Sequence, residues 1–211
     1  MKEIVTLILF VITLPALLEL ALVTIGAVIP QKEKKGGGAQ GSFAVIIPAH
    51  NEEGNLRATV ESLKKCVSDF DIVVIADNCT DNTAQVTKDL GVQLLKRDDL
   101  SKKGKGYALD FAFTSLENYD YFLVIDADTE VEPGVIEEVQ NLFGAGADAV
   151  QLPYTVKNVS ESPRSALMEL ALTAFNVVRP KGRNGWRLSA GIVGNGFALS
   201  RTTLEKVGLI K

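Results

Sequence analysis

The chain has 211 residues, of which 46% are hydrophobic and 23% charged, with a formal net charge of −4. This fits one domain of ordinary size plus a short extra segment, and it excludes a disordered chain and a general nucleic-acid binder. Two cysteines, Cys66 and Cys79, and one histidine, His50, speak against a disulfide framework or a zinc cluster and for a reducing compartment.

Residues 4–30 are apolar apart from Glu19 and a few threonines. A run longer than about 18 residues is long enough to cross a bilayer as a helix. A cleaved signal peptide is the rival reading, but the run is too long for one and no small-residue cleavage region follows it. Only Lys2 and Glu3 precede the run, whereas Lys32, Lys34 and Lys35 follow it. The positive-inside rule then expects an inner-membrane protein whose residues from 31 onward are cytoplasmic. Glu19 is costly inside a span and implies either a partner helix in the membrane or a helix seated off-centre. Pro15 is a site for a kink.

Residues 31–42, charged and then glycine-rich, read as a flexible linker. Beyond it, short β-rich runs alternate with helical ones. Strands are expected at 43–47, 71–76, 92–95, 121–125 and 149–152. Helices are expected at 53–67, 80–90, 107–118, from Pro133 to near Phe143, and within 163–178. The runs IVVIA and YFLVI are apolar throughout, as strands covered on both faces are. The expectation is an α/β domain over residues 43–211, with a mostly parallel, Rossmann-like sheet flanked by helices and one transmembrane helix before it. Cys66 falls on an apolar helical stripe, which argues against a Cys–His catalytic pair.

In such sheets ligands sit at the carboxyl ends of the strands. Three polar clusters fall there: Pro48-Ala49-His50-Asn51-Glu52-Glu53, Asp77-Asn78-Cys79-Thr80-Asp81 and Asp126-Ala127-Asp128. Two carboxylates one residue apart suit a hard divalent ion, Mg²⁺ or Mn²⁺, that also takes substrate phosphates. A solvated turn is the plain alternative for that triplet taken alone. Lys102, Lys103 and Lys105, set among Gly104 and Gly106 before a helix, offer cations and backbone N–H groups to a diphosphate, or form an ordinary basic loop. No Walker loop, dinucleotide fingerprint, GxSxG elbow or HExxH helix occurs.

FAVIIPAHNEEGNL, VVIADNCTDNTAQ, GKGYALDFAF, YFLVIDADTEVEP and SAGIVGNGFALSRTTLEKVG, in that order over residues 43–208, resemble glycosyltransferase family 2 on the GT-A fold. The resemblance is to bacterial membrane-associated members related to cellulose and poly-N-acetylglucosamine synthases. It implies an inverting transfer from a nucleotide-sugar donor, a UDP-sugar, to a saccharide or lipid-linked acceptor. Carried over by motif, Pro48, Ala49, Asn51 and Glu52 line the uridine pocket, with His50 as a lining residue. Asp77 bonds the base, and Lys105 sits near the phosphates. Asp126 stands on the ribose or base side, and Asp128 is the metal ligand; Ala127 lies between them, and the pair forms the metal site. Gly194-Asn195-Gly196 matches the segment that lets sugar and acceptor approach the backbone. Trp186, Arg183 and Arg187 either bound the acceptor cleft or form a surface loop.

The resemblance places the catalytic base in a TED-like motif shortly after GNGFALSRTTLEKVG. That position lies beyond Lys211, which leads us to expect an N-terminal portion of a longer enzyme. The alternative of a different class is a nucleotide-sugar-binding module that is inactive alone. A GT-A-like nucleotidyltransferase fits less well, because PAHNEEGN lacks the glycine-rich basic loop such enzymes carry after the first strand.

Overall fold

A computed structural model describes residues 2–30 and 36–209. Lys32, Lys34 and Lys35, on which the orientation argument rests, lie outside them. The contacts divide the chain into two units, residues 34–151 with 194–211 and residues 1–33 with 152–193. Residues 31–35 of the expected linker likewise lie outside the described residues.

The first unit is built on a six-stranded sheet in the order β3-β2-β1-β4-β6-β5. Its strands are β1 (Phe43–Ala49), β2 (Asp71–Asp77), β3 (Gln93–Arg97), β4 (Tyr121–Val124), β5 (Ala149–Gln151) and β6 (Phe197–Ser200). β1 pairs parallel with β2 and β4, and β2 pairs parallel with β3. β6 runs antiparallel between β4 and β5, with Val124 opposite Phe197. That strand and the helix after it, Arg201–Lys206, were not anticipated from the sequence. Ser200 starts the helix, its Oγ accepting from the Thr203 N–H at 3.2 Å.

The period of two in a strand divides the core. Ala44, Ile46, Val73, Ile75, Phe122 and Val124 pack with Ala108, Ala112 and Phe113 of the helix Lys105–Ser115. Val45, Ile47, Val74 and Leu123 are equally buried, which leaves the helices Leu56–Leu63 and Val135–Gly144 to cover the other face. Leu56, Val60 and Leu63 are wholly buried, each contributing about 1.5–3 kcal/mol relative to exposure. The helices Leu56–Leu63 and Thr83–Asp89 are shorter than their apolar spacing suggests, since their flanks are taken up by loops at the sheet edge. Burial pushes the Cys66 thiol up, in keeping with a structural role.

Tyr119 precedes β4, and its hydroxyl donates to Asp71 Oδ2 at 2.8 Å. Burial first, then the Asp71 carboxylate, pushes the phenol from 10.0 up to about 12. The unfolded state therefore loses this proton before the folded state does. The resulting stability is intact below pH 10 and is lost as pH rises toward about 12. Thermal melts across that window are expected to fall less steeply for Tyr119→Phe than for the wild type. Equal slopes would contradict the assignment.

The second unit holds α1 (Lys2–Val28), an uninterrupted helix containing Pro15 and long and apolar enough to cross a membrane. It also holds the helix Pro163–Thr173, which runs through a π-turn at Ala174–Val178 into the helix Arg179–Gly185. The helical path overruns the expected end at 178, although Pro180 lacks an N–H and crowds the turn before it. The wider π-turn immediately upstream lets the helix continue. Glu19 finds its partner within the chain, 3.1 Å from Arg179.

Candidate donor site at the carboxyl edge of the sheet

The loops after β1, β2 and β4 and the start of the helix Lys105–Ser115 enclose a cavity of about 430 Å³. Pro48, Ala49, His50 and Glu52 line it from the first loop, and Asp77 and Asn78 from the second. Lys103, Gly104 and Lys105 line it from the helix start, and Asp126, Ala127 and Asp128 from the fourth strand. Asn51 and Asn195 are not among the lining residues; their side chains hydrogen-bond the loops that form it.

Asn51 adopts a left-handed backbone, φ 58°, a conformation that Asn tolerates better than most residues. Its Oδ1 accepts from the N–H groups of Thr80 at 2.7 Å and Asp81 at 3.3 Å. The Glu52 N–H donates to Thr83 Oγ1 at 2.8 Å and the Glu53 N–H to Asp81 Oδ2 at 3.1 Å. Burial pulls the Asp81 carboxyl up, but bonds from the Thr83 hydroxyl, the Thr83 N–H and the Glu53 N–H outweigh it and hold it below the usual range. The first two loops are thus stitched together. His50 Nδ1 lies 2.7 Å from the Asp77 carbonyl. A carbonyl only accepts, so Nδ1 carries the proton, and in the neutral ring Nε2 is left as an acceptor.

Asp77 is buried and paired with Arg97, whose Nη1 stands 2.5 Å from Oδ1. Asn78 Nδ2 donates to the same oxygen at 3.0 Å. Arg97 Nη2 donates to the Lys102 carbonyl at 2.8 Å, and the guanidinium lies 6.0 Å from the Tyr107 ring centre. The Asp99 N–H donates to Asn78 Oδ1 at 2.8 Å. One buried cation therefore fixes both the β2 carboxylate and the loop carrying Lys103 and Gly104. The sequence reading missed Arg97. Its signal is the parallel register that sets Asp77 opposite Arg97, which is readable only once β2 and β3 are known to pair.

At β4, the Asp126 N–H donates to Asn195 Oδ1 at 3.0 Å, and Asn195 Nδ2 donates to Thr129 Oγ1 at 3.0 Å. Thr59 Oγ1 donates to the Ala127 carbonyl at 2.7 Å. Lys105 Nζ bonds both Asp126 Oδ1 and the Gly194 carbonyl. Asp128 is exposed and makes no hydrogen bond or ion pair among the described residues. No cluster of three or more His, Cys, Asp or Glu side chains suited to an ion occurs among those residues. The donor set therefore fits a hard divalent ion that takes one or two carboxylates and completes its shell with phosphate and water, not a closed protein cage.

Residues 44–208 match the family model described as glycosyl transferase family 2. A probable glycosyltransferase of Bacillus subtilis, YdaM, is 29% identical over 176 residues, 78% of this chain and 42% of that protein. The chain thus spans about two fifths of that relative's length. Among solved structures, the mannosyltransferase PcManGT from Pyrobaculum calidifontis, in complex with GDP-Man and Mn²⁺, superposes with a TM-score of 0.73. It is 18% identical, and the match covers 99% of this chain and 59% of that one. Glucosyl-3-phosphoglycerate synthase from Mycobacterium tuberculosis, with Mn²⁺, UDP and glucosyl-3-phosphoglycerate, gives 0.53 at 22% identity, covering 77% of this chain and 58% of that one. At those identities the two structures establish the fold.

Proposed function

This chain belongs to glycosyl transferase family 2, and on that premise we propose that it holds a UDP-sugar for inverting transfer to a saccharide or lipid-linked acceptor at a membrane. The observation carrying the proposal is the convergence of three strand-end loops and a helix N-terminus on one cavity that contains Asp126 and Asp128. Pro48, Ala49 and Glu52 form the nucleoside wall, and Asp77, fixed by Arg97, is positioned to bond the base. Gly104 and Lys105, at the start of an eleven-residue helix, bring N–H groups and an ammonium to the diphosphate. Asn195 orients the Asp126 backbone, and Lys105 its carboxylate. Asp128, with Asp126, is the assigned ligand of Mg²⁺ or Mn²⁺, which when bound would offset charge on the departing diphosphate. The Mn²⁺ named with the two solved structures supports that assignment.

The second reading, donor binding without turnover by residues 1–211 alone, is favoured by the state of the cavity's carboxylates. Glu52 accepts from Asn55 Nδ2 at 2.9 Å, Asp77 is bound by Arg97, and Asp126 by Lys105. Asp128 is left for the metal, so none of them is assigned to take the acceptor proton, which transfer requires. The expected result is UDP-sugar binding with no acceptor-dependent release of UDP by residues 1–211. Robust acceptor-dependent release would put the base among the residues described and overturn the second reading.

We also assign α1 to a bilayer crossing with the sheet unit cytoplasmic. The assignment is supported by its length, its apolar composition and the exposure of nearly its whole surface.

A further inference from the structure

α1 carries features that a solitary crossing helix does not need. Glu19 pairs with Arg179 at 3.1 Å, and Trp186 Nε1 donates to the Leu22 carbonyl at 2.7 Å. Gly26, Gly182 and Gly185 bring the two backbones together. A Cβ on Gly26 would collide with the Gly182 carbonyl and the Trp186 ring, one on Gly182 with the Val23 carbonyl, and one on Gly185 with the Gly26 carbonyl. Glycine-mediated approach of this kind pairs helices where water supplies no drive to association. The contacts extend along α1 from Gly26 back to Glu19. That is about 10 Å of helix at 1.5 Å per residue, about a third of a hydrocarbon layer about 30 Å thick.

The segment that packs there also exposes large apolar side chains. Leu167, Leu170, Phe175, Leu188 and Ile192 are each half exposed or more. A patch of that kind is unfavourable in water and marks a surface meant for another medium. Arg179 neutralises Glu19, whose charge would be costly in hydrocarbon, and Arg183 Nε donates to the Ser189 carbonyl at 2.7 Å. A tryptophan with its N–H satisfied and its ring beside a span is likewise at home at the headgroup level.

We propose that residues 163–193 form a second membrane element, packed on the C-terminal half of α1 and sunk into one leaflet. Their exposed apolar side chains are covered by the acyl chains of the bilayer. The inference rests on the reading of α1 as a crossing helix. Lipid is favoured over a protein partner because this apolar surface belongs to the same compact unit as α1 and continues α1's own exposed face.

Trp186 is the only tryptophan in the chain, so its emission reports this segment alone. The full chain would be reconstituted in phosphatidylcholine–phosphatidylglycerol vesicles, with and without bromine on the acyl chains, and co-flotation measured in parallel. The expected result is co-flotation with blue-shifted emission, loss of most of the intensity to brominated lipid and little loss to aqueous iodide. Flotation with quenching by iodide and none by brominated lipid would overturn this inference while leaving the crossing of α1 intact. Flotation with neither quencher effective would overturn it as well, since a protein or a second copy would then cover the face. Failure to float would refute the crossing itself.

Discussion

Arg97→Met is expected to be the most destabilising single change in the sheet unit, at about 3–5 kcal/mol, the range for breaking a buried ion pair from one side. Both side chains of the Asp77–Arg97 pair are 8% exposed, so methionine would leave a buried carboxylate whose remaining side-chain donor among the described residues is Asn78. Replacing both partners with leucine should cost less than the single change, because no unpaired charge remains. The damage should also reach the cavity. Arg97 carries the Lys102 carbonyl and lies against the Tyr107 ring, so its loss frees the loop bearing Lys103 and Gly104 as well as the Asp77 carboxylate. Urea unfolding of the purified chain in detergent checks the stability. A change within about 0.5 kcal/mol, the usual span for surface substitutions, would show that the pair is solvated and not a structural hub.

The strand-end clusters were legible because a parallel sheet has few ways to order its loops. Continuous apolar runs such as IVVIA marked buried strands, and the polar residues after them had to fall on one edge. The structure brings Pro48, Ala49, Glu52, Asp77, Lys105, Asp126, Ala127 and Asp128 to one cavity on that logic. What escaped the sequence was pairing across long separations. β6 gains its place by inserting antiparallel between β4 and β5, a pairing that no local pattern displays. Arg97 looks like one more charge in KRDD until its register with Asp77 is known. Asn51 and Asn195 had the right neighbourhood, but their side chains hydrogen-bond the loops around the cavity and do not line it. The partner of Glu19 was not legible either, since Arg179 lies 160 residues along the chain.

Asp128→Ala is the second large effect, and it bears directly on the donor site. Asp126 shares its charge with Lys105, whereas Asp128 is exposed on the cavity and free of partners among the described residues. It is therefore the carboxylate with full charge to offer a hard cation. It also supports no neighbour, so its removal should leave the melting temperature unchanged and isolate the binding function. The decisive measurement is calorimetric titration of a UDP-sugar into wild-type and Asp128→Ala protein, with Mn²⁺ and after chelation. The account predicts binding by the wild type that requires the metal and no measurable binding by the folded variant. Equal affinity of the two proteins, or binding by the wild type indifferent to metal, would contradict it.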